Sequence, residues 1–129
     1  LNFPEDTRHA AFCEDAFKYL DDNEGKYDLI ILDPPAFAKH RKALKNGLRG
    51  YTRLNVKGFE KIRSGGILFT FSCSQVVTKD NFRQAVFTAA AQAGRKVRIL
   101  HQLHQPADHP INIYHPEGEY LKGLVLYVE

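Results

Sequence analysis

The sequence lacks several features that would assign it to a well-known class of protein. Its 129 residues include no methionine and only two cysteines, Cys13 and Cys73, which fall in separate predicted elements. Two cysteines make no disulfide framework, so we expect both thiols to be reduced. No apolar run approaches the roughly 20 residues of a membrane-spanning helix, and no basic-then-apolar leader is present. We therefore expect a single cytoplasmic domain.

Motifs for phosphate and metal binding are also missing. There is no G-x-G-x-x-G loop and no Walker loop, which argues against a complete dinucleotide or nucleoside-triphosphate site. The histidines lack metal-ligand spacing with the cysteines, so we predict no metal site. Because the chain starts at Leu1 without any methionine, we expect a processed or truncated product.

The stretch YDLIILDPPAF, residues 27–37, is the most informative part of the chain. Leu29 to Leu32 is an unbroken apolar run, which is typical of a parallel strand covered on both faces. Asp33 follows at the carboxyl end of this strand, where ligands gather in open α/β sheets. Asp33 either faces a ligand or merely caps the next segment.

The residues after Asp33 suit a planar base. Pro34 and Pro35 end the strand, because neither offers an N–H, and they leave backbone carbonyls as acceptors. Phe37 adds a flat face for stacking. An acid, free carbonyls and an aromatic ring together favour binding of an amino-bearing nucleobase, although prolines after a strand also occur in ordinary turns.

Cys73 occupies the position on its own strand that Asp33 occupies on the earlier one. The apolar run from Ile67 to Phe71 ends in Ser72-Cys73-Ser74. A buried cysteine is commonly a small hydrophobic residue, but a thiol near backbone N–H groups and basic residues can also be activated as a nucleophile. Attack of a thiolate on C6 of a pyrimidine makes C5 nucleophilic, and Asp33 could bind the ring at N3 and N4.

The remaining periodicities predict the other elements. Strands are expected at Ala10–Glu14, Lys96–His104 and Tyr120–Val128, and helices at Asp15–Leu20, Tyr51–Ile62 and from Thr78 or Asp80 to Ala93. Ser64-Gly65-Gly66 should end the second helix, and residues 39–48 should form an irregular connection. Asp15 should cap the first helix or accept a hydrogen bond from a ligand. The order predicts an α/β sandwich with a mostly parallel sheet and an antiparallel C-terminal strand.

Basic residues are concentrated after the Asp-Pro-Pro turn, although the net charge is only +3. They are Lys39, Arg41, Lys42, Lys45, Arg49, Arg53, Lys57, Lys61 and Arg63. This cluster either contacts phosphates or forms a solvated helix face.

Several blocks, in order, give the chain a family resemblance. They are DAFKYL, YDLIILDPPAFAK, RGYTRLN, GGILFTFSCSQ, ADHP and PEGEYLKGL. With these blocks the chain resembles the carboxyl-terminal part of a class I S-adenosylmethionine-dependent methyltransferase. More closely, it is similar to the bacterial family that makes 5-methylcytosine in 23S ribosomal RNA. The resemblance implies a Rossmann-like sheet with helices on both faces, S-adenosylmethionine as cofactor and RNA as partner.

The resemblance also implies roles for individual residues. Asp15, Ala16 and Phe17 would lie at the adenine of the cofactor. Asp33 would bind cofactor and act in catalysis, and Cys73 would be the nucleophile. The residues implied at the target base are Pro34, Pro35, Phe37, Tyr51 and Asn55.

The chain departs from the family pattern at its start. The family's first two strands, its Gly-rich cofactor loop and its amino-terminal RNA-binding module would all precede Leu1. The resemblance therefore implies that residues 1–129 are the C-terminal part of a catalytic domain, which alone is inactive and binds the cofactor poorly. The missing strands would lie between those at Ala10–Glu14 and Tyr27–Leu32. We expect dimerisation through the exposed sheet edge, or direct pairing of these two strands.

Two other functions fit the same residues. An exocyclic-amine or guanine N-methyltransferase would use the Asp33-Pro34-Pro35 turn and need no thiol. A non-catalytic RNA-binding domain would use the basic cluster alone.

Overall fold

A computed structural model describes residues 8–23 and 26–129. Three helices are present in these ranges, α1 at Ala16–Asp22, α2 at Leu44–Lys61 and α3 at Lys79–Gln92. Four strands are present, β1 at Tyr27–Leu32, β2 at Ile62–Ser72, β3 at Val97–Leu103 and β4 at Lys122–Val128. Two 3₁₀ turns lie in the connections, at Arg41–Ala43 and Pro116–Gly118. None of the described helices is long and apolar enough to cross a membrane.

The four strands form one sheet in the order β1-β2-β4-β3. β1 and β2 are parallel, and β4 runs antiparallel to both of its neighbours, β2 and β3. The predicted α/β class and mostly parallel sheet with an antiparallel C-terminal strand are confirmed. β4 lies inside the sheet, which explains why almost all of its residues are buried.

The described helices pack against one face of the sheet, whereas helices on both faces were expected. The core combines helix residues with strand residues that alternate onto this single face. Its strand members are Ile30, Leu32, Ile62, Leu68, Leu124, Leu126 and Val128. Crossover connections between parallel strands are right-handed. The parallel strands β1, β2 and β3 follow one another across the sheet in one direction. Both crossover helices, α2 and α3, must therefore lie on the same side.

The opposite face of β1 is open. Leu29 and Ile31 are 53% and 60% exposed, so the expectation of a strand covered on both faces was wrong for β1. The segment Ala10–Glu14 is exposed and forms no strand. A strand requires a hydrogen-bonded neighbour, and within residues 8–23 and 26–129 the only strand that pairs with β1 is β2. Direct pairing of residues 10–14 with β1 is therefore not observed.

Two element starts lie earlier than the sequence indicated. α2 begins at Leu44, so the second half of the predicted irregular connection is helical. β2 begins at Ile62 and includes Ser64-Gly65-Gly66, which was expected to separate helix from strand. Gly65 has φ of +82°, and the pairing of β1 with β2 shifts register in this region. The glycines thus form an irregularity inside the strand rather than a loop before it.

Candidate active site

The carboxyl ends of β1 and β2 lie side by side, as the sequence predicted. Leu32 is paired with Thr70 in the parallel ladder, so the segments that follow the two strands meet at the same edge. Cys73 Sγ lies 3.9 Å from the carbonyl oxygen of Pro34, within reach of a weak S–H···O hydrogen bond. Cys73 is partly buried, whereas Cys13 is exposed. The thiol therefore faces the Asp-Pro-Pro turn directly.

A cavity of about 440 Å³ opens beside this turn. Its lining includes seven of the ten predicted site residues, namely Asp15, Ala16, Phe17, Asp33, Pro34, Pro35 and Phe37. The side chains come from three segments: the start of α1, the end of β1 and the loop before α2. The structure therefore brings together the residues expected at the cofactor and those expected at the target base.

The two carboxylates of the cavity differ in their contacts. Asp15 Oδ1 accepts a hydrogen bond of 3.0 Å from the backbone N–H of Lys18, so Asp15 caps α1. Asp33 is exposed and has no hydrogen-bond or ion-pair partner among the described residues. A carboxylate has several lone pairs, so Asp15 can cap the helix and still accept a ligand's amino group, and Asp33 is free to accept several.

Tyr51 connects the two loops that carry the site. Its hydroxyl shares a hydrogen bond of 2.7 Å with Ser74 Oγ and accepts one of 3.4 Å from the backbone N–H of Phe37. Ser74 Oγ also accepts from the N–H of Ala38 at 3.3 Å. The rings of Tyr51 and Phe37 pack with their centroids 4.8 Å apart. This network joins the loop after Asp33 to the turn after Cys73.

Tyr51 and Asn55 are fully buried, so neither side chain reaches the open cavity. Asn55 Nδ2 donates to the carbonyl of Tyr51, one helical turn earlier, at 2.9 Å. Asn55 Oδ1 has no hydrogen-bond partner within the described ranges. Both residues therefore lie behind the cavity wall. Tyr51 influences the shape of the pocket through its contacts with Phe37.

Lys122 is a site residue that the sequence did not indicate. Its side chain is buried, with 7% of the residue exposed, and its Nζ donates to the carbonyls of Ser74 at 2.7 Å and Val77 at 2.5 Å. Burial lowers the pKa of Lys122 to about 8, and the neighbouring Cys73 acts in the opposite direction. A lysine inside the otherwise apolar run KGLVLYV was the available signal, because lysine is rarely buried without partners.

The basic cluster divides into two parts. Lys57 pairs with Asp21 and Glu60, and Arg63 pairs with Asp28. The earlier residues are exposed and make no ion pair within residues 8–23 and 26–129; they are Lys39, Arg41, Lys42, Lys45 and Arg49. The guanidinium of Arg53 lies over the ring of Phe17, 5.1 Å from its centroid, at the cavity wall. Unpaired positive charge therefore extends along the start of α2 toward the cavity.

Comparison with known proteins finds methyltransferases that are similar to this chain. The ribosomal RNA large subunit methyltransferase I of Alteromonas mediterranea is 41% identical over 131 aligned positions, which cover 99% of this chain and 33% of the relative. The enzyme of the same name from Shewanella denitrificans is 44% identical over 127 positions, covering 95% of the chain and 32% of the relative. Almost the whole chain is therefore similar to one part of the ribosomal RNA large subunit methyltransferases I. It spans about a third of the length of these curated methyltransferases.

Solved methyltransferase structures share the fold. A methyltransferase crystallised in complex with SAH matches with a TM-score of 0.71 at 24% identity, covering 88% of this chain and 30% of that one. A SAM-dependent methyltransferase from Streptococcus mutans matches with a TM-score of 0.70 at 22% identity, covering 88% of the chain and 29% of its own. No protein-family model matches the chain.

Proposed function

We propose that the chain is the C-terminal part of a catalytic domain that transfers a methyl group to C5 of a cytosine in 23S ribosomal RNA. The observation that carries the proposal is the position of Cys73 Sγ, 3.9 Å from the carbonyl oxygen of Pro34 and beside the cavity that Asp33 lines. A nucleophile and a carboxylate on two adjacent strand ends are the groups that C5 methylation needs.

In this proposal each group has one task. The Cys73 thiolate adds to C6 of the cytosine, and the electron pair of the C5–C6 double bond makes C5 nucleophilic. Asp33 accepts the N4 amino hydrogen, which orients the ring for the addition. After C5 is methylated, water accepts the C5 proton, the electrons of that C–H bond re-form the C5–C6 double bond, and the C6–S bond breaks to release the thiolate. Pro34, Pro35 and Phe37 hold the base. Tyr51 supports Phe37 from behind, and Asn55 donates to the backbone carbonyl of Tyr51.

The residues around the cavity suit S-adenosylmethionine. Asp15, Ala16 and Phe17 provide an acceptor, a small side chain and an aromatic surface for the adenine, and Asp33 lies at the other end. When bound, the cofactor supplies the methyl group that C5 receives. These residues contact only part of such a molecule, so residues 1–129 alone should bind it weakly and be inactive.

The unpaired cations provide the RNA contact. Phosphates attract exposed lysine and arginine side chains that have no protein partner, and the cluster from Lys39 to Arg49 meets this condition. We place the protein in the cytoplasm, where its RNA substrate would be found. The open edge of β1 is the proposed site of dimerisation for the isolated chain.

The test uses the full-length gene product that carries this segment, with 23S ribosomal RNA and labelled S-adenosylmethionine, followed by nucleoside analysis. The wild type should place label in 5-methylcytosine, and Cys73→Ala should reduce the label at least 100-fold, because the covalent step is lost. Cys13→Ala, which removes the exposed thiol, is the matched control and should be fully active. Residues 1–129 alone should give no label.

Two outcomes would contradict the proposal. Label in a different nucleoside that persists in Cys73→Ala would assign the turn to an exocyclic-amine or guanine N-methyltransferase. Salt-sensitive RNA binding without any label would indicate an RNA-binding domain that has no catalytic role.

A further inference from the structure

Lys122 reaches across the backbone that carries Cys73. In the antiparallel ladder Lys122 is paired with Ser72, the residue just before the cysteine. Its Nζ donates to the carbonyls of Ser74 and Val77, which follow the cysteine. The side chain therefore spans the segment from one side of Cys73 to the other.

The ammonium group is buried without a carboxylate in direct contact. Its hydrogen-bond partners among the described residues are two carbonyl dipoles, and the ion pairs of the same region lie elsewhere, with Lys79 Nζ 2.8 Å from Glu119 Oε1. The charged groups that act on Lys122 are Cys73, Lys79 and Glu119. Because Glu119 is paired with Lys79, the two backbone carbonyls provide the direct contacts of the ammonium.

Cys73 favours the charged form of Lys122, against the effect of burial on the pKa of that lysine.

We propose that Lys122 is a positioning residue for Cys73, whose buried ammonium fixes the turn carrying the thiol through its hydrogen bonds to Ser74 and Val77. The inference rests on the proposed role of Cys73 as the nucleophile. It adds a second requirement to that role, a cation held by the strand that lies beside β2.

The experiment measures the reactivity of Cys73 in the absence of RNA and cofactor. In the 129-residue chain with Cys13→Ser, Cys73 is the sole thiol, and iodoacetamide alkylates it by forming a C–S bond as iodide leaves. Addition of Lys122→Met should lower the alkylation rate constant at pH 7 by roughly three- to tenfold. Lys122→Arg, which keeps the charge, should restore most of the rate. Lys96→Met removes an exposed lysine before β3, with the same change in net charge, and should leave the rate unchanged.

A rate within twofold of the parent in a folded Lys122→Met chain, checked by circular dichroism, would overturn the inference. A second measurement leaves Lys122 in place, in case that variant does not fold. Titration of Lys122 by NMR should give a pKa near 8 in the parent and a lower value in Cys73→Ser. An identical value in both would also overturn it. Neither measurement requires methyl transfer, so failure here is distinct from failure of the proposed function.

Discussion

Burial of a charged side chain at Lys122 has consequences for stability as well as for chemistry. An ammonium removed from water is disfavoured unless hydrogen bonds replace its hydration, and the carbonyls of Ser74 and Val77 replace it in part. The remaining penalty appears as the lowered pKa. The folded state therefore releases a proton more readily than the unfolded state does.

This difference predicts an alkaline rise in stability. The folded-state pKa of Lys122 is about 8, against 10.5 in the unfolded chain, so between these values the unfolded state binds more protons. The free energy of unfolding should therefore increase from pH 8 to pH 10, by roughly 2 kcal/mol for this group. Urea unfolding of the wild type and of Lys122→Met between pH 8 and pH 10 measures this increase in the free energy of unfolding. A difference between the two proteins that does not change with pH would contradict the assignment.

Among the residues near the candidate site, those that directly follow a strand could be predicted from the sequence. Those that contact the site from another part of the chain could not. Asp33 and Cys73 could be found because each directly follows an apolar run. Ser74 forms a hydrogen bond with Tyr51, 23 residues earlier in the chain, and Lys122 forms one with Ser74, 48 residues earlier. Such contacts are created by the tertiary fold and leave no local pattern.

At the level of elements, the position of α2 relative to the site depends on two glycines. A Cβ at Gly47 would lie 2.6 Å from Ala38 Cβ and 3.1 Å from the backbone of Phe37 and Ala38. A Cβ at Gly50 would lie 3.1 Å from the Phe37 ring. The helix can therefore approach the loop after Asp33 only because these positions lack side chains, which also explains the glycine in Arg-Gly-Tyr.

Substitution of Gly47 tests this close approach. Alanine is favoured over glycine in a helix by about 1 kcal/mol, but the contact with Ala38 requires the backbone to move. We expect Gly47→Ala to destabilise the protein by about 1–3 kcal/mol in urea unfolding. The control is Asn46→Ala, at the neighbouring exposed position of α2, which should be neutral or slightly stabilising. A stabilised Gly47→Ala would show that helix propensity dominates here.

The same glycines misled the prediction of element boundaries. Gly47 and Gly50 weaken the helical pattern before Tyr51, so the sequence indicated an irregular connection where α2 has already begun. Packing against Ala38 compensates for the low helix propensity of glycine. Cap residues were more reliable, because Asp15 and Thr78 accept hydrogen bonds from backbone N–H groups three residues later, within the same local segment.

For the whole molecule, the direction of the crossovers determines which surfaces are covered. β1 to β2 and β2 to β3 both advance across the sheet in one direction, so all described helices share one face. The sequence predicted the types of the described elements, apart from a strand at Ala10–Glu14, because element type depends on local periodicity. It could not predict the open face, because the apolar residues of β1 are identical in character on both sides.

The open edge of β1 predicts self-association of the isolated chain. In the part of the chain that the structure describes, β1 has a hydrogen-bonded neighbour on one side only. Phe12, Leu29 and Ile31 expose large apolar surfaces beside the other edge. Unpaired backbone groups next to apolar side chains favour pairing with a second copy. Sedimentation velocity should therefore detect a dimer at micromolar concentration, and Leu29→Lys should shift it to monomer, because burial would desolvate the introduced charge. Phe87→Lys, at a residue 70% exposed on α3, is the matched control and should leave the dimer intact. A monomeric wild type, or a dimer unaffected by Leu29→Lys, would place the association elsewhere or exclude it.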